Sequence, residues 1–246
     1  MSVSELLFEL ASDDRLAVLS MVGKQPARLS DVARNIASTV QEASRQLERL
    51  AGARLVSKGP DSRYEITPLG RVALDLVPSF RFVSDEREFF LSHDASSLPP
   101  PFVHRLGELS VHRRLDRLDE TLALSEELLR GAKRYAWFMS DQPVRLSFPH
   151  EHPPGVEFRL IFPRDVDPEA IRRVRSRIGS DLQVATIDSV GLSMAMNESV
   201  ASVFFPATDG RMDLTSGFAG EEPAFHGWCR DLYGFFWSLA REGRPG

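Results

Sequence analysis

Residues 39–70 read TVQEASRQLERLAGARLVSKGPDSRYEITPLG, and this stretch decides the fold of the N-terminal third of the chain. Thr39 is followed three residues later by Glu42, a spacing that fits a capping box and predicts a helix that begins at Val40. The apolar residues of this helix recur at helical spacing and predict one buried stripe: Ala43, Leu47 and Leu50. The polar residues near the beginning of the helix therefore face outward.

The second half of the same stretch predicts a β-hairpin. Residues 55–58 and 63–66 have the composition of short strands, and the four residues between them, Gly-Pro-Asp-Ser, are turn formers. Residues 67–70, Thr-Pro-Leu-Gly, then predict a further helix with threonine as its cap and proline at its first position.

The residues before position 39 predict two more helices. Apolar residues recur along residues 6–22 and form one helical face, with Asp13 and Asp14 as a break. Ser30 fits the cap of a second, short helix. Two helices, the helix from Val40 and a hairpin, in this order, predict a winged helix-turn-helix.

This fold binds double-stranded DNA with the beginning of the second helix of its helix pair in the major groove. Arginine there bonds guanine and glutamine bonds adenine through paired hydrogen bonds, and Arg45 is the strongest candidate for reading a base. Lys58 and Arg63 flank the tip of the hairpin, where we expect them to contact phosphates. The predicted DNA-binding residues are Thr39, Val40, Gln41, Ser44, Arg45, Arg49, Lys58 and Arg63.

Charge and composition agree with this prediction. The 246-residue chain has a formal net charge of −5, yet seven basic and only four acidic residues lie between Arg28 and Arg63. A local basic face on an acidic protein is typical of a small DNA-binding module. No apolar run approaches the roughly 20 residues that span a bilayer, and no signal peptide begins the chain, so we expect a cytoplasmic protein without membrane contact. The single cysteine, Cys229, argues against a disulfide framework or a thiolate zinc site.

The residues after the hairpin predict a helix that is kinked or divided at Pro78 and is rich in phenylalanine. Two alternatives follow: this stretch packs on a second copy of the chain, or it covers the chain's own second domain. We expect three regions: a winged helix-turn-helix at 1–75, a helical linker for dimerisation at 76–110, and an α/β effector or regulatory domain at 111–246. In this last region helical and strand patterns alternate before a run of strands, which predicts a mixed sheet and an α+β fold class.

Several short motifs carry a resemblance to a known family. They are His93-Asp94, Leu98-Pro99, Arg105-Leu106-Gly107-Glu108-Leu109, Ala132-Lys133, and Trp228 with Asp231-Leu232 and Phe236-Trp237. Together they resemble the archaeal winged helix-turn-helix transcriptional regulators related to the methanogenesis regulatory protein, along nearly the whole chain. The resemblance implies transcription control by a homodimer with a C-terminal effector domain.

Other chemistry has little support in the sequence. His150-Glu151-His152 offers two imidazoles and no identifiable third ligand, so we predict no metal site. No His-x-Lys pair and no serine nucleophile elbow is present, and we therefore expect neither an enzyme nor a cofactor. If the second domain binds a small-molecule effector, polar residues near its strand ends are the expected lining: Ser140, Asp141, Arg159 and Asp188.

The sequence thus predicts a homodimeric, sequence-specific DNA-binding transcriptional regulator. The alternative is a protein-interaction module whose winged helix no longer binds DNA.

Overall fold

The computed structural model describes residues 1–141, 155–179 and 182–242. The chain separates into two compact units, Met1–Pro78 and Ser79–Gly246. The helices are α1 (Val3–Leu10), α2 (Asp13–Lys24), α3 (Leu29–Asn35), α4 (Val40–Gly52), α5 (Pro68–Asp85), α6 (Arg87–Ser92), α7 (Pro100–Val103), α8 (Leu118–Gly131), α9 (Pro168–Ile178) and α10 (Pro223–Glu242), with a 3-10 helix at Leu106–Leu109. The strands are β1 (Val56–Lys58), β2 (Tyr64–Ile66), β3 (Arg113–Leu115), β4 (Tyr135–Met139), β5 (Glu157–Pro163), β6 (Leu182–Ile187), β7 (Ser193–Asn197), β8 (Ala201–Pro206) and β9 (Met212–Gly220).

The first unit is a winged helix-turn-helix, as predicted. Helices α2, α3 and α4 and the antiparallel hairpin β1–β2, in which Val56 lies opposite Ile66, enclose one core. The fully buried side chains at its centre are Val18, Leu19, Val32, Ala43, Leu47, Leu50 and Leu55. The inward stripe predicted for the helix from Val40 is therefore buried.

Two helix boundaries in this unit differ from the prediction. The predicted break in the apolar pattern over residues 6–22 is present, but it lies at residues 11–12, just before Asp13, because the side chain of Ser12 caps α2 by accepting from the backbone N–H of Arg15. Helix α3 begins at Leu29, one residue before Ser30, and Arg28 occupies the capping position without a side-chain hydrogen bond. The apolar periodicity of the sequence predicts which face of these helices is buried more accurately than it predicts where they begin and end.

The phenylalanine-rich segment is helical, as its sequence pattern predicts. Helix α5 continues through Pro78 and ends at Asp85, before α6, so the helix is not divided at Pro78. Phe82 and Phe89 are buried in the core of the second unit, whereas Phe80 is 66% exposed. From Ser79 onward, the stretch assigned to a separate region at 76–110 therefore packs within the second unit, because its phenylalanines cover that unit's own sheet.

The second unit contains the predicted mixed sheet. The order of its seven strands among the described residues is β3-β9-β8-β7-β4-β5-β6. Strands β4, β5 and β6 are parallel, and the remaining neighbours pair antiparallel. The sequence pattern does not predict strand β3, because it favours a helix from Leu115 onward, whereas the helix begins at Leu118.

Helices cover both faces of this sheet. Helix α10 packs on one face, where the buried residues are Met139, Ile161, Met194, Phe218, Trp228 and Leu232. Helices α8 and α9 pack on the other face, where they are Leu128, Ala136, Phe138, Phe158, Leu160 and Val174. Within the described part of the chain, no helix is both long enough and apolar enough to cross a membrane.

Candidate nucleic-acid interface

Helix α4 begins at a sharp turn after α3. Ala37 lies in this turn with a φ of +48°, a left-handed conformation that is uncommon for a residue other than glycine. Thr39 Oγ1 then accepts a hydrogen bond of 3.1 Å from the backbone N–H of Glu42, which fits the predicted cap. The Glu42 carboxylate accepts a hydrogen bond of 2.7 Å from Gln46 Nε2 rather than from the backbone N–H of Thr39, so only the threonine half of the predicted capping box forms.

The beginning of α4 presents an exposed polar face. Val40 is 56% exposed, and Gln41 and Arg45 are also exposed, one helical turn apart. Ser44 is half-buried and donates a hydrogen bond of 2.9 Å to Glu48 Oε1. The structure thus brings the predicted base-reading residues together on one face.

Arg45 is held on this face by one weak contact. Its Nη1 lies 3.4 Å from Glu42 Oε2, in a pair whose arginine side chain is 64% exposed. Such exposed pairs on one helix stabilise it by about 0.2–0.5 kcal/mol. A bidentate contact of arginine with guanine is worth about 1–3 kcal/mol, so the ion pair does not prevent Arg45 from reaching a base.

Arg49 is held much more firmly. Its Nη2 and Nε bond the two carboxylate oxygens of Glu9 at 2.7 and 3.1 Å, and its guanidinium lies 5.0 Å from the centre of the Phe8 ring. The hydrogen bond from Arg49 holds the pKa of Glu9 below its usual value. Arg49 connects α4 to α1, and this geometry favours a structural role over the predicted DNA contact.

A polar network beside α4 was not predicted from the sequence. Arg15 is buried and bonds the backbone carbonyls of Phe8 and Glu9, each at 2.7 Å. Its Nη1 also bonds Gln46 Oε1 at 3.4 Å. Arg15 precedes the buried Val18 and Leu19 by three and four residues, and an arginine on this apolar face is the signal that could have indicated a buried, hydrogen-bonded role.

The hairpin presents the two predicted wing cations. Lys58 Nζ lies 5.6 Å from the centre of the Tyr64 ring, and Lys58 has no ion-pair partner among the residues described. Arg63 Nε lies 3.3 Å from Asp61 Oδ2 in an exposed pair within the turn. Both cations are therefore accessible at the hairpin.

A cleft of about 460 Å³ lies between the hairpin and the beginning of α3. It is lined by Arg28, Leu29, Ser30, Lys58, Asp61, Ser62 and Tyr64. Arg28 and Lys58 supply two positive charges, the Asp61 carboxylate pairs with Arg63, and the serines supply hydroxyl donors, a set that suits a phosphate group. Arg28 was not among the predicted contacts, although it begins the basic stretch of the sequence.

The structure does not bring the four predicted effector residues to one place. Ser140 and Asp141 follow the end of β4, and Ser140 is buried. Asp188 follows β6, is 86% exposed and pairs with Arg164 at 2.8 Å. Arg159 lies within β5, directly opposite Trp137 in the middle of β4, and is therefore not at the carboxyl ends of the strands.

Arg159 is enclosed by aromatic side chains beneath α10. Its guanidinium lies 4.9 Å from the Trp137 ring and 5.0 Å from the Trp237 ring. Its Nε lies 2.7 Å from Glu157 Oε1, an ion pair without hydrogen-bond geometry. Arg159 contacts both indoles, which suits a packing role better than the predicted lining of a ligand site.

The histidine cluster at 150–152 lies outside the described residues. Across the described ranges, no group of three or more His, Cys, Asp or Glu side chains could hold a metal ion. Cys229 is fully buried, and desolvation raises the pKa of its thiol well above the usual value.

Comparisons with known proteins give structural matches alone. No protein-family model matches the chain, and no curated protein matches it. TrmBL2, an archaeal chromatin protein described as showing a novel mode of DNA binding, is similar at 11% identity and a TM-score of 0.41, over 97% of this chain and 99% of that one. An IclR homologue from Microbacterium sp. strain HM58-2 is similar at 13% identity and a TM-score of 0.26, over 96% of this chain and 99% of that one.

Methyltransferases are also among the matched structures. The riboflavin-derivative dimethyltransferase RosA from Streptomyces davawensis is similar at 16% identity and a TM-score of 0.28, over 74% of this chain and 62% of that one. These matches contradict the prediction that the chain is not an enzyme, and that prediction is withdrawn. Matches at this level of similarity assign no reaction, ligand or partner. What the chain itself has is an α+β fold with an N-terminal winged helix-turn-helix and a C-terminal α/β domain.

Proposed function

We propose that this chain is a sequence-specific DNA-binding transcriptional regulator that inserts the beginning of α4 into the major groove of double-stranded DNA. The observation that carries the proposal is the exposed pair Gln41 and Arg45, one turn apart and directly after a capped helix start. These side chains are the types that bond adenine and guanine through paired hydrogen bonds.

The hairpin and the cleft beside it supply the electrostatic part of the proposal. Lys58 and Arg63 would hold phosphates on one side of the groove, and Arg28 would hold a phosphate in the cleft. The exposed ion pair between Arg63 and Asp61 competes only weakly with a phosphate contact of Arg63, because exposed ion pairs contribute at most about 1 kcal/mol. Phosphate contacts of this kind fix register and make binding sensitive to salt.

A homodimer is part of the proposal. On the part of α5 that lies in the first unit, Leu69, Val72 and Leu76 are 43%, 61% and 50% exposed. Their spacing of three and four residues forms one apolar stripe, which suits the same helix of a second copy. Two copies would place two α4 helices in successive major grooves of a palindromic site.

The resemblance to archaeal regulators related to the methanogenesis regulatory protein supports the same proposal and adds an effector for the second domain. The alternative, a protein-interaction module with a degenerate winged helix, is favoured by one observation. Arg45 and Arg49 are paired with Glu42 and Glu9, which lowers the net positive charge of the α4 face.

Selection from random duplexes tests the proposal. The full chain is incubated with a pool of random DNA duplexes, and the retained duplexes are sequenced and tested by fluorescence anisotropy. We expect an enriched motif of two half-sites about one helical turn apart, bound by two chains in sedimentation experiments. Absence of measurable binding to any duplex would support the interaction module instead, and equal affinity for every duplex would contradict sequence-specific recognition.

A further inference from the structure

A cavity of about 380 Å³ opens at one end of the sheet in the second unit. It lies on the face covered by α8, between the segment that enters β3, the end of β9 and the residues before α10. Its volume is near the lower end of the range of about 300–1,000 Å³ that is usual for ligand pockets. The cavity therefore suits a small molecule.

The floor of the cavity is apolar. Leu124 of α8 and Ala219 of β9 are 5% and 2% exposed, and the half-buried Val200 lies beside them. Arg113 of β3 lies directly opposite Ala219 in the antiparallel pair, so both side chains are on the same face of the sheet. The register thus brings one cation to the edge of an apolar surface.

Charges of both signs line the rim. Glu127, Glu221 and Glu222 share the cavity with Arg113. Within the described part of the chain, none of these four side chains forms an ion pair, so opposite charges line one cavity without neutralising each other. The remaining titratable group, His112, is engaged by the Leu109 carbonyl at 2.9 Å and by Glu86 at 3.1 Å.

We propose that this cavity binds a small zwitterion with an aliphatic side chain, of the class of the apolar α-amino acids. The Arg113 guanidinium would bond the carboxylate, and the glutamates would hold the ammonium group. The aliphatic part would lie on Leu124 and Val200, where it leaves water. The role of this ligand as an effector rests on the proposed regulatory function. Its binding to the cavity does not depend on that function.

Calorimetry with three related probes tests the ligand class. The full chain is titrated with L-leucine, with 3-methylbutylamine, which lacks the carboxylate, and with 4-methylpentanoate, which lacks the ammonium group. L-Leucine is expected to bind saturably, and each of the other probes to bind about tenfold more weakly, because each cannot form one of the two charge-assisted interactions. Equal binding of 4-methylpentanoate and L-leucine would overturn the proposal, as would the absence of saturable binding.

Two variants test which residues of the cavity bind the carboxylate and the ammonium group of the ligand. Arg113→Gln should weaken L-leucine binding about fivefold or more and leave 3-methylbutylamine unaffected, whereas the double change Glu127→Gln with Glu222→Gln should weaken both. Glu126→Gln, on the same helix but outside the cavity, is the matched control. Affinities that stay unchanged in both variants would overturn the assignment.

The same preparations separate this proposal from the proposed function. DNA binding without L-leucine is measured by anisotropy on the selected duplex. Intact DNA binding without amino-acid binding contradicts the cavity proposal alone, and amino-acid binding without DNA binding contradicts the regulator alone.

Discussion

Nη2 of Arg49 lies 2.7 Å from Oε1 of Glu9, and this contact joins the last turn of α4 to the end of α1. Helix α1 itself has no buried residue. The Arg49–Glu9 pair and the bonds from Arg15 therefore hold the N-terminal helix against the helix that we propose reads DNA. They also take one arginine of α4 out of the set available to DNA.

The Arg49–Glu9 ion pair predicts that the stability of the first unit depends on pH. Arg49 holds the pKa of Glu9 below its usual 4.5, so the contribution of Glu9 is present above that value and is lost as pH falls through the lowered folded-state pKa. Glu9→Gln should therefore lower the melting temperature at pH 7, and the difference from the wild type should shrink at about pH 3. Far-UV circular dichroism is the readout, because all three tryptophans lie in the second unit and do not report the first.

Glu65→Gln, an exposed change in the hairpin, is the control for this experiment and should have little effect at either pH. A difference between wild type and Glu9→Gln that is the same at both pH values would contradict the role given to the pair.

Replacing two glycines of the first unit by alanine should change the unfolding free energy in opposite directions. A Cβ at Gly70 would overlap with the carbonyl oxygen of Leu55, whereas a Cβ at Gly52 would meet no atom within 4 Å. Gly70→Ala should cost about 1–3 kcal/mol of unfolding free energy through overpacking. Gly52→Ala, within α4, should add about 0.5–1 kcal/mol. Urea denaturation followed by circular dichroism measures both, and a Gly70→Ala protein as stable as the wild type would contradict the close approach.

The contacts of Arg159 with two indole rings predict that its charge stabilises the second unit. Arg159→Met keeps an unbranched side chain but removes the charge that contacts the Trp137 and Trp237 rings, and should cost about 1–2 kcal/mol. Urea denaturation followed by tryptophan fluorescence reports this unit directly. The exposed Arg175→Met on α9 is the matched control, and equal midpoints for the two variants would show that these contacts contribute nothing.

Much of this fold could be predicted because its signals are local. Residues 135–139 and 182–187 have the composition of short strands and form β4 and β6, and the cap at Thr39 correctly located the beginning of α4. Strand β3 could not be predicted in this way. It has three residues and is defined by its pairing with β9, about a hundred positions further along the chain.

In the candidate site, too, the features that depend on local sequence could be predicted and the long-range contacts could not. Gln41 and Arg45 could be assigned to an exposed face from helical spacing alone. The partner of Arg49 is 40 residues away, and the indoles around Arg159 come from a neighbouring strand and from α10. Such contacts depend on how elements pack, which local periodicity does not encode.

The hairpin predicts a sequence-independent contribution to DNA binding. Lys58→Ala and Arg63→Ala should each weaken binding to the selected duplex and to unrelated duplexes alike, because they act on phosphates. Each should reduce the slope of log affinity against log salt by about 0.9 for every phosphate that the variant no longer neutralises. Anisotropy titrations at several salt concentrations measure this. Lys133→Ala, in the second unit, should leave the slope unchanged, and a wing variant with the same slope as this control would contradict the wing contact.

Arg45→Ala tests the central claim most directly. Anisotropy compares its affinity for the selected duplex and for an unrelated duplex with those of the wild type and of Arg130→Ala, an exposed, ion-paired arginine of α8. The account predicts a loss of about 1–3 kcal/mol, about fivefold to 150-fold, on the selected duplex, and unchanged binding to the unrelated one. An Arg45→Ala protein that binds the selected duplex as tightly as the wild type would contradict base reading by α4.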